Sequence, residues 1–149
     1  MTRIERSIII SASRPVVFAY ASDYLKWSEW FEGVSEFTPM TSITQGTGAR
    51  FSYKARMMGI GVRVETEICD FIINEGWKGI STKGISASTY WNFKAFGDNT
   101  KFTYVLEYKL PAPWLLFLAD AIIVKPQWEK IIENSLAKLQ LRFSANKLQ

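Results

Sequence analysis

Between Val34 and Leu110 the chain runs through six short segments in which apolar and polar residues alternate, each closed by a glycine-bearing turn. The segments cover about 34–43, 48–57, 60–73, 77–84, 87–96 and 100–109. A period of two is the mark of a half-buried strand, because successive side chains point to opposite faces. Phe51, Tyr53, Ala55 and Met57 alternate with Arg50, Ser52, Lys54 and Arg56. Thr89, Trp91, Phe93 and Ala95 alternate with Tyr90, Asn92 and Lys94, and Phe102, Tyr104, Leu106 and Tyr108 with Lys101, Thr103 and Glu107. The separators Gly46/Gly48, Gly59/Gly61, Glu75-Gly76, Gly84 and Gly97-Asp98-Asn99 are too short for crossover helices, so the strands pair antiparallel in sequence. A sheet with one apolar face and one wet face needs a cover.

The flanking segments supply it. Arg3 to Ser11 is strand-like and rich in Ile. Ser13 stands where a helix N-cap belongs, with Pro15 in the first turn, where a missing N–H costs nothing. That helix is predicted to run to about Ser22. Asp23 caps a second one, whose Trp27, Trp30 and Phe31 share a face at i, i+3 and i+4 before Gly33 ends it. Their expected role is to plug one end of the sheet, ahead of gating an entrance. From about Pro113 to Asn146 a long helix is predicted, with an inward stripe of Trp114, Leu118, Ile122, Trp128, Ile132, Leu136, Leu139 and Phe143. Pro126 should kink or break it, since its ring clashes with the carbonyl four residues back. The apolar stretch from Leu110 to Val124 carries two prolines and Asp120. It falls short of the roughly 20 residues that span a bilayer, so no transmembrane segment is expected.

Composition narrows the chemistry. The 149 residues, 48% hydrophobic and 21% charged, suit one globular domain over 1–149 with a sizeable core. The apolar run Ile8-Ile9-Ile10 is too short for a signal-peptide core, and a soluble, cytoplasmic protein is expected. The chain holds no histidine. Ser-His-Asp and Cys-His catalysis and His-ligated metal sites are thereby excluded. The single cysteine, Cys69, permits no intrachain disulfide and is read as a small core hydrophobe beside Ile68, Phe71 and Ile72. Glu65 and Glu67 lie two apart on one strand face beside Arg63, a solvated charged stripe. No metal site and no cofactor are expected. Gly46-Thr-Gly48 and Gly59-Ile-Gly61 lead into strands and read as hairpin turns, so no phosphate loop is present. A net charge of +4 spread over alternating strands, with the aromatics on the opposite face, argues against nucleic acid.

The order strand, two short helices, six strands and a long C-terminal helix resembles the START/polyketide cyclase-like superfamily, also called SRPBCC or helix-grip. The resemblance rests on Ile8-Ile-Ile-Ser-Ala-Ser-Arg-Pro-Val-Val-Phe18, on Asp23-x-x-x-Trp27-x-x-Trp30 and on Gly46-x-Gly-Ala-Arg-Phe51, and covers nearly the whole chain. It implies an α+β fold: a curved antiparallel sheet of about seven strands wrapped around the long C-terminal helix, with two short helices after the first strand. It also implies a hydrophobic cavity between sheet and helix that takes lipids, polyketides or aromatic molecules. The superfamily has no universal catalytic motif, so no catalytic residue follows from it.

Of the inward set, Tyr53, Met57, Trp91, Phe93, Tyr104, Tyr108, Trp114 and Trp128 are the candidate ligand-binding residues, with Tyr53, Met57, Trp91 and Tyr104 expected at mid-sheet facing the helix. Three readings of function result. The first is binding or transfer of a hydrophobic small molecule, with Trp91 expected to matter more than Trp77. The second is a cyclase- or dehydratase-type enzyme working without histidine, its acid–base groups drawn from Tyr53, Tyr104, Tyr108, or Asp70 if its strand turns it inward. The third is an accessory protein that uses the Trp114–Val124 segment to meet a protein partner, a second copy in a homodimer, or a membrane surface.

Overall fold

In a computed structural model, residues 1–57, 60–110 and 120–147 are described, apart from the side chains of Met57, Ile60, Asp120, Ala121 and residues 145–147. Seven strands form one antiparallel sheet: β1 (Thr2–Ile10), β2 (Val34–Pro39), β3 (Arg50–Met57), β4 (Ile60–Ile72), β5 (Gly76–Lys83), β6 (Ser86–Phe96) and β7 (Asn99–Lys109). Their order across the sheet is β1-β7-β6-β5-β4-β3-β2. Consecutive strands from β2 to β7 are therefore neighbours, as short turns require, and β1 closes the far edge by pairing with β7 from Thr2↔Tyr108 to Ile10↔Thr100. The six alternating segments are thus six strands. The main boundary difference is β2, which stops at Pro39 instead of running to about 43, because its pairing with β3 already shifts register between Ser35 and Thr38.

Helix α1 (Arg14–Ala21) starts after Ser13, whose backbone is extended as a cap should be but whose side chain makes no cap hydrogen bond. Val17, Phe18 and Ala21 face the core. Asp23 does cap the next element, accepting from the Leu25 N–H at 3.1 Å. That element is a 3₁₀ helix, Tyr24–Glu29, so Trp30 and Phe31 lie beyond its end. All three aromatic side chains, Trp27, Trp30 and Phe31, are still buried, and the Trp27 indole N–H donates to the Ala21 carbonyl at 2.6 Å.

Helix α2 (Lys125–Lys147) lies over the concave face. Pro126 is its second residue, and the turn before it, Asp120–Val124, is a π-helix. The break expected at Pro126 thus takes the form of a widened turn, as suits a residue that cannot donate to the preceding turn and whose ring pushes on it. Ile132, Leu136, Leu139 and Phe143 are buried as predicted. Ile122 is not: it is 71% exposed, and Val124 is the buried residue of that turn. The 3.6-residue stripe does not carry through π geometry. Trp114 and Leu118 of the predicted stripe, most of the Trp114–Val124 segment and the predicted helix start near Pro113 lie outside the described residues. No described helix is long and apolar enough to cross a membrane.

Cys69 is also corrected. Ile68 points inward at 2% exposure, so its neighbour Cys69 faces the outer side of β4, half-buried, with its thiol toward the Lys78 carbonyl at 3.5 Å. Asp70 is exposed and adopts a positive φ of 53° where β4 loses register with β5 between Cys69 and Ile72.

Polar contacts fix α2 at both sheet edges. On the β1 side Arg6 pairs with Glu129 and Glu133, and the Gln140 amide donates to the Ile9 carbonyl at 2.8 Å. On the β2 side the Glu32 N–H donates to the Ser135 hydroxyl at 2.8 Å, and that hydroxyl donates to the Ile131 carbonyl at 2.6 Å. Ser135 is fully buried. Lys138 pairs with Glu32 at 2.7 Å. Gly33, at φ 74°, lets the chain pass under the helix, since a Cβ there would stand 2.8 Å from Ile131 Cδ1. Ser135→Ala leaves the Glu32 N–H without its acceptor, and a buried donor so orphaned costs about 1–3 kcal/mol. Chemical denaturation should show that loss, whereas Lys138→Ala, at an exposed pair, should cost under about 1 kcal/mol.

Candidate functional site

The concave face is built in cross-strand rows. Trp77 on β5 pairs with Trp91 on β6, and Trp91 with Tyr104 on β7. The next row holds Ile68, Gly79, Thr89 and Leu106. Beyond it Thr66 pairs with Ser81, and Ala87 with Tyr108. The first row is large and aromatic, while the centres of the next two are glycine, alanine or short hydroxyl residues. Those centres are too short to reach α2. Gly79 is the lowest point: a Cβ there would come within 2.7 Å of Thr89 Oγ1 and 3.3 Å of Thr66 Cγ2. A glycine inside a strand marks such a close approach.

The result is a cavity of about 80 Å³ between sheet and helix, several times the space one water needs. Its deep end is aromatic. Trp91 stacks at tilted angles on Trp77 (centroids 4.6 Å apart) and on Trp27 (4.8 Å), with Trp27 and Trp77 nearly parallel at 6.4 Å. Phe31 reaches the same wall, 5.8 Å from Tyr104, and Phe51 closes the β3 side. Phe37 on β2, half-buried, packs on Trp27 with centroids 5.6 Å apart, and away from the aromatic end the lining becomes half-buried at Val34 on β2, Ser81 on β5, Ile85 in the β5–β6 turn, Ala87 on β6 and Trp128 on α2. This gradient sets the opening between β2, the β5–β6 turn and the first turns of α2.

Among the described residues the lining holds no Asp, Glu, Lys or Arg. Its polar atoms come from hydroxyls. Burial pushes the Tyr104 phenol well above the ordinary tyrosine range, and the neighbouring Tyr53 adds to this. Burial also raises Tyr53, partly offset by its side-chain hydrogen bond with Thr66. Both phenols are therefore neutral at pH 7. No group of three or more metal-ligating side chains occurs among the described residues.

Of the predicted ligand-binding residues, Tyr53, Trp91, Tyr104, Tyr108 and Trp128 line the cavity. Phe93 does not: it lies one row deeper, packed on Phe102 at 4.7 Å, Phe18 at 5.1 Å and Trp77 at 5.6 Å. The Met57 side chain and Trp114 lie outside the described residues. Asp70, on the outer surface, leaves the set of inward acid–base candidates. Trp77, left out of the inward set, lies in one row with Trp91, and both are buried and line the cavity, so the placement behind the expected contrast between them is corrected. Its signal was the spacing Trp77, Gly79, Ser81 against Lys78, obscured by Ile80, which points out at 39% exposure. Trp27 and Phe31, predicted only to plug one end, form part of the wall.

Residues 1–144 match the family model described as polyketide cyclase / dehydrase and lipid transport. The chain belongs to that family. No curated protein matches the sequence. Solved structures with the same fold include the TTHA0849 protein of Thermus thermophilus, with a TM-score of 0.79 and 21% identity over 97% of this chain and 99% of that one. A START superfamily protein of Mycobacterium smegmatis has a TM-score of 0.72 and 15% identity over 96% and 97% of the two chains. Protein CV1439 of Chromobacterium violaceum has a TM-score of 0.66 and 15% identity over 96% and 98%. At these identities the likeness establishes the START-like fold and nothing finer.

The phenols of Tyr53 and Tyr104, two of the three tyrosines in the described lining, give this family member a defined alkaline response. Each holds its proton more tightly when folded than when unfolded, so its contribution is complete below the ordinary tyrosine pKa of about 10 and is lost as pH rises beyond it. Melting temperature should fall as pH rises above about 10. In the Tyr53→Phe/Tyr104→Phe variant the fall should be shallower, which thermal denaturation followed by circular dichroism would measure.

Proposed function

We propose that this chain binds a hydrophobic small molecule in the cavity between the concave sheet and α2. The observation that carries the reading is the wall itself: a rigid aromatic end of Trp27, Trp77 and Trp91, short residues at the centre and no charged lining side chain among the described residues. Such a wall gains free energy by taking apolar surface out of water, about 25 cal/mol per Å². Rings already locked against one another lose little freedom when a ligand arrives. The family description, which includes lipid transport, is in keeping with this reading.

The cyclase or dehydratase alternative draws less support. General acid–base catalysis works best with a group poised near the working pH. The described lining offers only hydroxyls, and both Tyr53 and Tyr104 are moved away from neutrality.

Native mass spectrometry of the purified protein should recover a co-purifying apolar molecule or, after delipidation, a stoichiometric complex with N-phenyl-1-naphthylamine. Binding of this uncharged fluorophore should quench tryptophan emission with 1:1 saturation. Trp77→Ala and Trp91→Ala should each weaken it by about tenfold, roughly 1.4 kcal/mol, provided circular dichroism shows each variant folded. Phe96→Ala, at an exposed strand end, should leave it unchanged. Absence of saturable binding, or an equal loss in Phe96→Ala, would remove the reading.

A further inference from the structure

We infer that the corner of the sheet formed by β2, β3 and β4 beside the cavity opening is a docking surface for an anionic phospholipid bilayer, with Lys54, Arg56 and Arg63 as its contacts. The inference concerns the outer surface and stands whether or not a molecule occupies the cavity.

Strand alternation puts Ala55 on the cavity face and turns Lys54 and Arg56, on either side of it, to the outer face. Arg63 stands directly opposite Lys54 in the β3–β4 ladder. Like charges so placed repel and weaken a sheet. Gly61, opposite Arg56, draws the charges closer: a Cβ there would overlap Lys54 Cε, so the lysine side chain lies across the glycine toward Arg56. All three residues are exposed, and none meets a carboxylate within ion-pair distance among the described residues. Arg63 donates to the Glu36 carbonyl at 3.3 Å, and the Glu36 side chain is the acid of this corner, sharing a recess with Lys54 and Arg56. Glu65, the next along, lies opposite Lys83. Other acids are held on the β1 side, where Arg3 meets Glu5 and Glu107 and Arg6 meets Glu129 and Glu133. The corner therefore keeps an excess of positive charge.

Its neighbours point to the occupant. The chain passes from β3 to β4 through residues 57–60, Met-Met-Gly-Ile in sequence, where a turn facing water ordinarily carries Asn, Asp or Ser. A second opposed like pair, Lys94 with Lys101, is joined instead through Gly97-Asp98-Asn99, a polar turn bearing an acid. Val34 lines both the recess and the cavity, so one residue separates the corner from the opening end. In the turn leading into α2, whose Trp128 lines that end, Ile122 and Ile123 are 71% and 48% exposed. A bilayer interface satisfies both features together: headgroup phosphates take the cations and the acyl boundary takes apolar side chains. A nucleic-acid backbone would satisfy only the first.

Flotation of the full chain with vesicles tests this. Vesicles of three parts phosphatidylcholine to one of phosphatidylglycerol should carry the protein upward in about 0.1 M salt, and pure phosphatidylcholine vesicles should not. Lys54→Gln and Arg63→Gln should each lower the partition coefficient about fivefold, the effect of one basic residue near an anionic surface. Lys54→Gln/Arg63→Gln should lower it about 25-fold. Lys94→Gln/Lys101→Gln removes the same charge from an exposed, opposed pair at the other end of the sheet and should change it less than about twofold. Each substitution relieves a like-charge contact, and circular dichroism checks that the variants fold. Equal binding to uncharged vesicles overturns the proposal, as does an equal loss in the two double variants, which assigns binding to net charge alone. A DNA duplex bound as tightly as the charged vesicles at the same salt, and lost in Lys54→Gln/Arg63→Gln, overturns it in favour of nucleic acid. Flotation uses protein without added ligand, so the cavity reading survives either result.

Discussion

Everything about the cavity depends on the way α2 is held. The helix meets the sheet at its two edges, through Arg6 and Ile9 on β1 and through Glu32 and Gly33 just before β2. Between those edges the centres of two cross-strand rows, Gly79 with Thr89 and Ser81 with Ala87, are short. A helix free to settle would close the gap, since packed interiors tolerate few voids. Here the rim contacts set its height. The exposed ion pairs contribute little individually. The firmer support is Ser135, a fully buried hydroxyl that accepts from one backbone group and donates to another. Removing such a link exposes an unsatisfied donor in place of a spare contact.

The aromatic cluster carries the other half of the same balance. Trp91 touches Trp27, Trp30, Phe31, Trp77, Phe102 and Tyr104, so it joins the 3₁₀ segment to β5, β6 and β7. Dense packing at this end supplies burial that the recessed centre gives up. Core and cavity are thus adjacent rows of one sheet face, separated by a single step along the strands. Phe93 and Trp91 illustrate it: two residues apart on β6, one lies within the core and the other fronts the void.

The same arrangement explains which parts are legible in the amino-acid sequence. Strand alternation depends on local periodicity and is clear in β3 and β6, so the fold and much of the inward face can be read directly, whereas the bulge at Asp70 interrupts it in β4 and outward-pointing Ile80 masks it in β5. Identifying the cavity wall within that face needs register, a long-range property. Nothing local says that Gly79 stands between Thr66 and Thr89, or that Trp77 lies opposite Trp91. The spacing of Trp27 and Phe31 predicts an α-helical face, yet the backbone is 3₁₀ to Glu29 and irregular after it, and tertiary packing alone turns both inward. Cys69 and Ile122 depart from expectation for a related reason. Hydrophobicity suggests burial, while the two-residue period in one case and a π turn in the other set the direction of the side chain.

The absent residue types matter as much as those present. With no histidine in the chain and no Asp, Glu, Lys or Arg in the described lining, no described lining residue changes protonation near neutral pH. Burial raises the Tyr53 and Tyr104 phenols above the ordinary tyrosine range, so both stay neutral there. The described lining thus keeps one electrostatic character across physiological conditions. The chain enters α2 through a π turn in which Ile122 and Ile123 are exposed and Val124 is buried, and Pro126 cannot donate to that turn, so the hydrogen-bond ladder is interrupted there while Glu129, one turn on, is tied to Arg6 on β1.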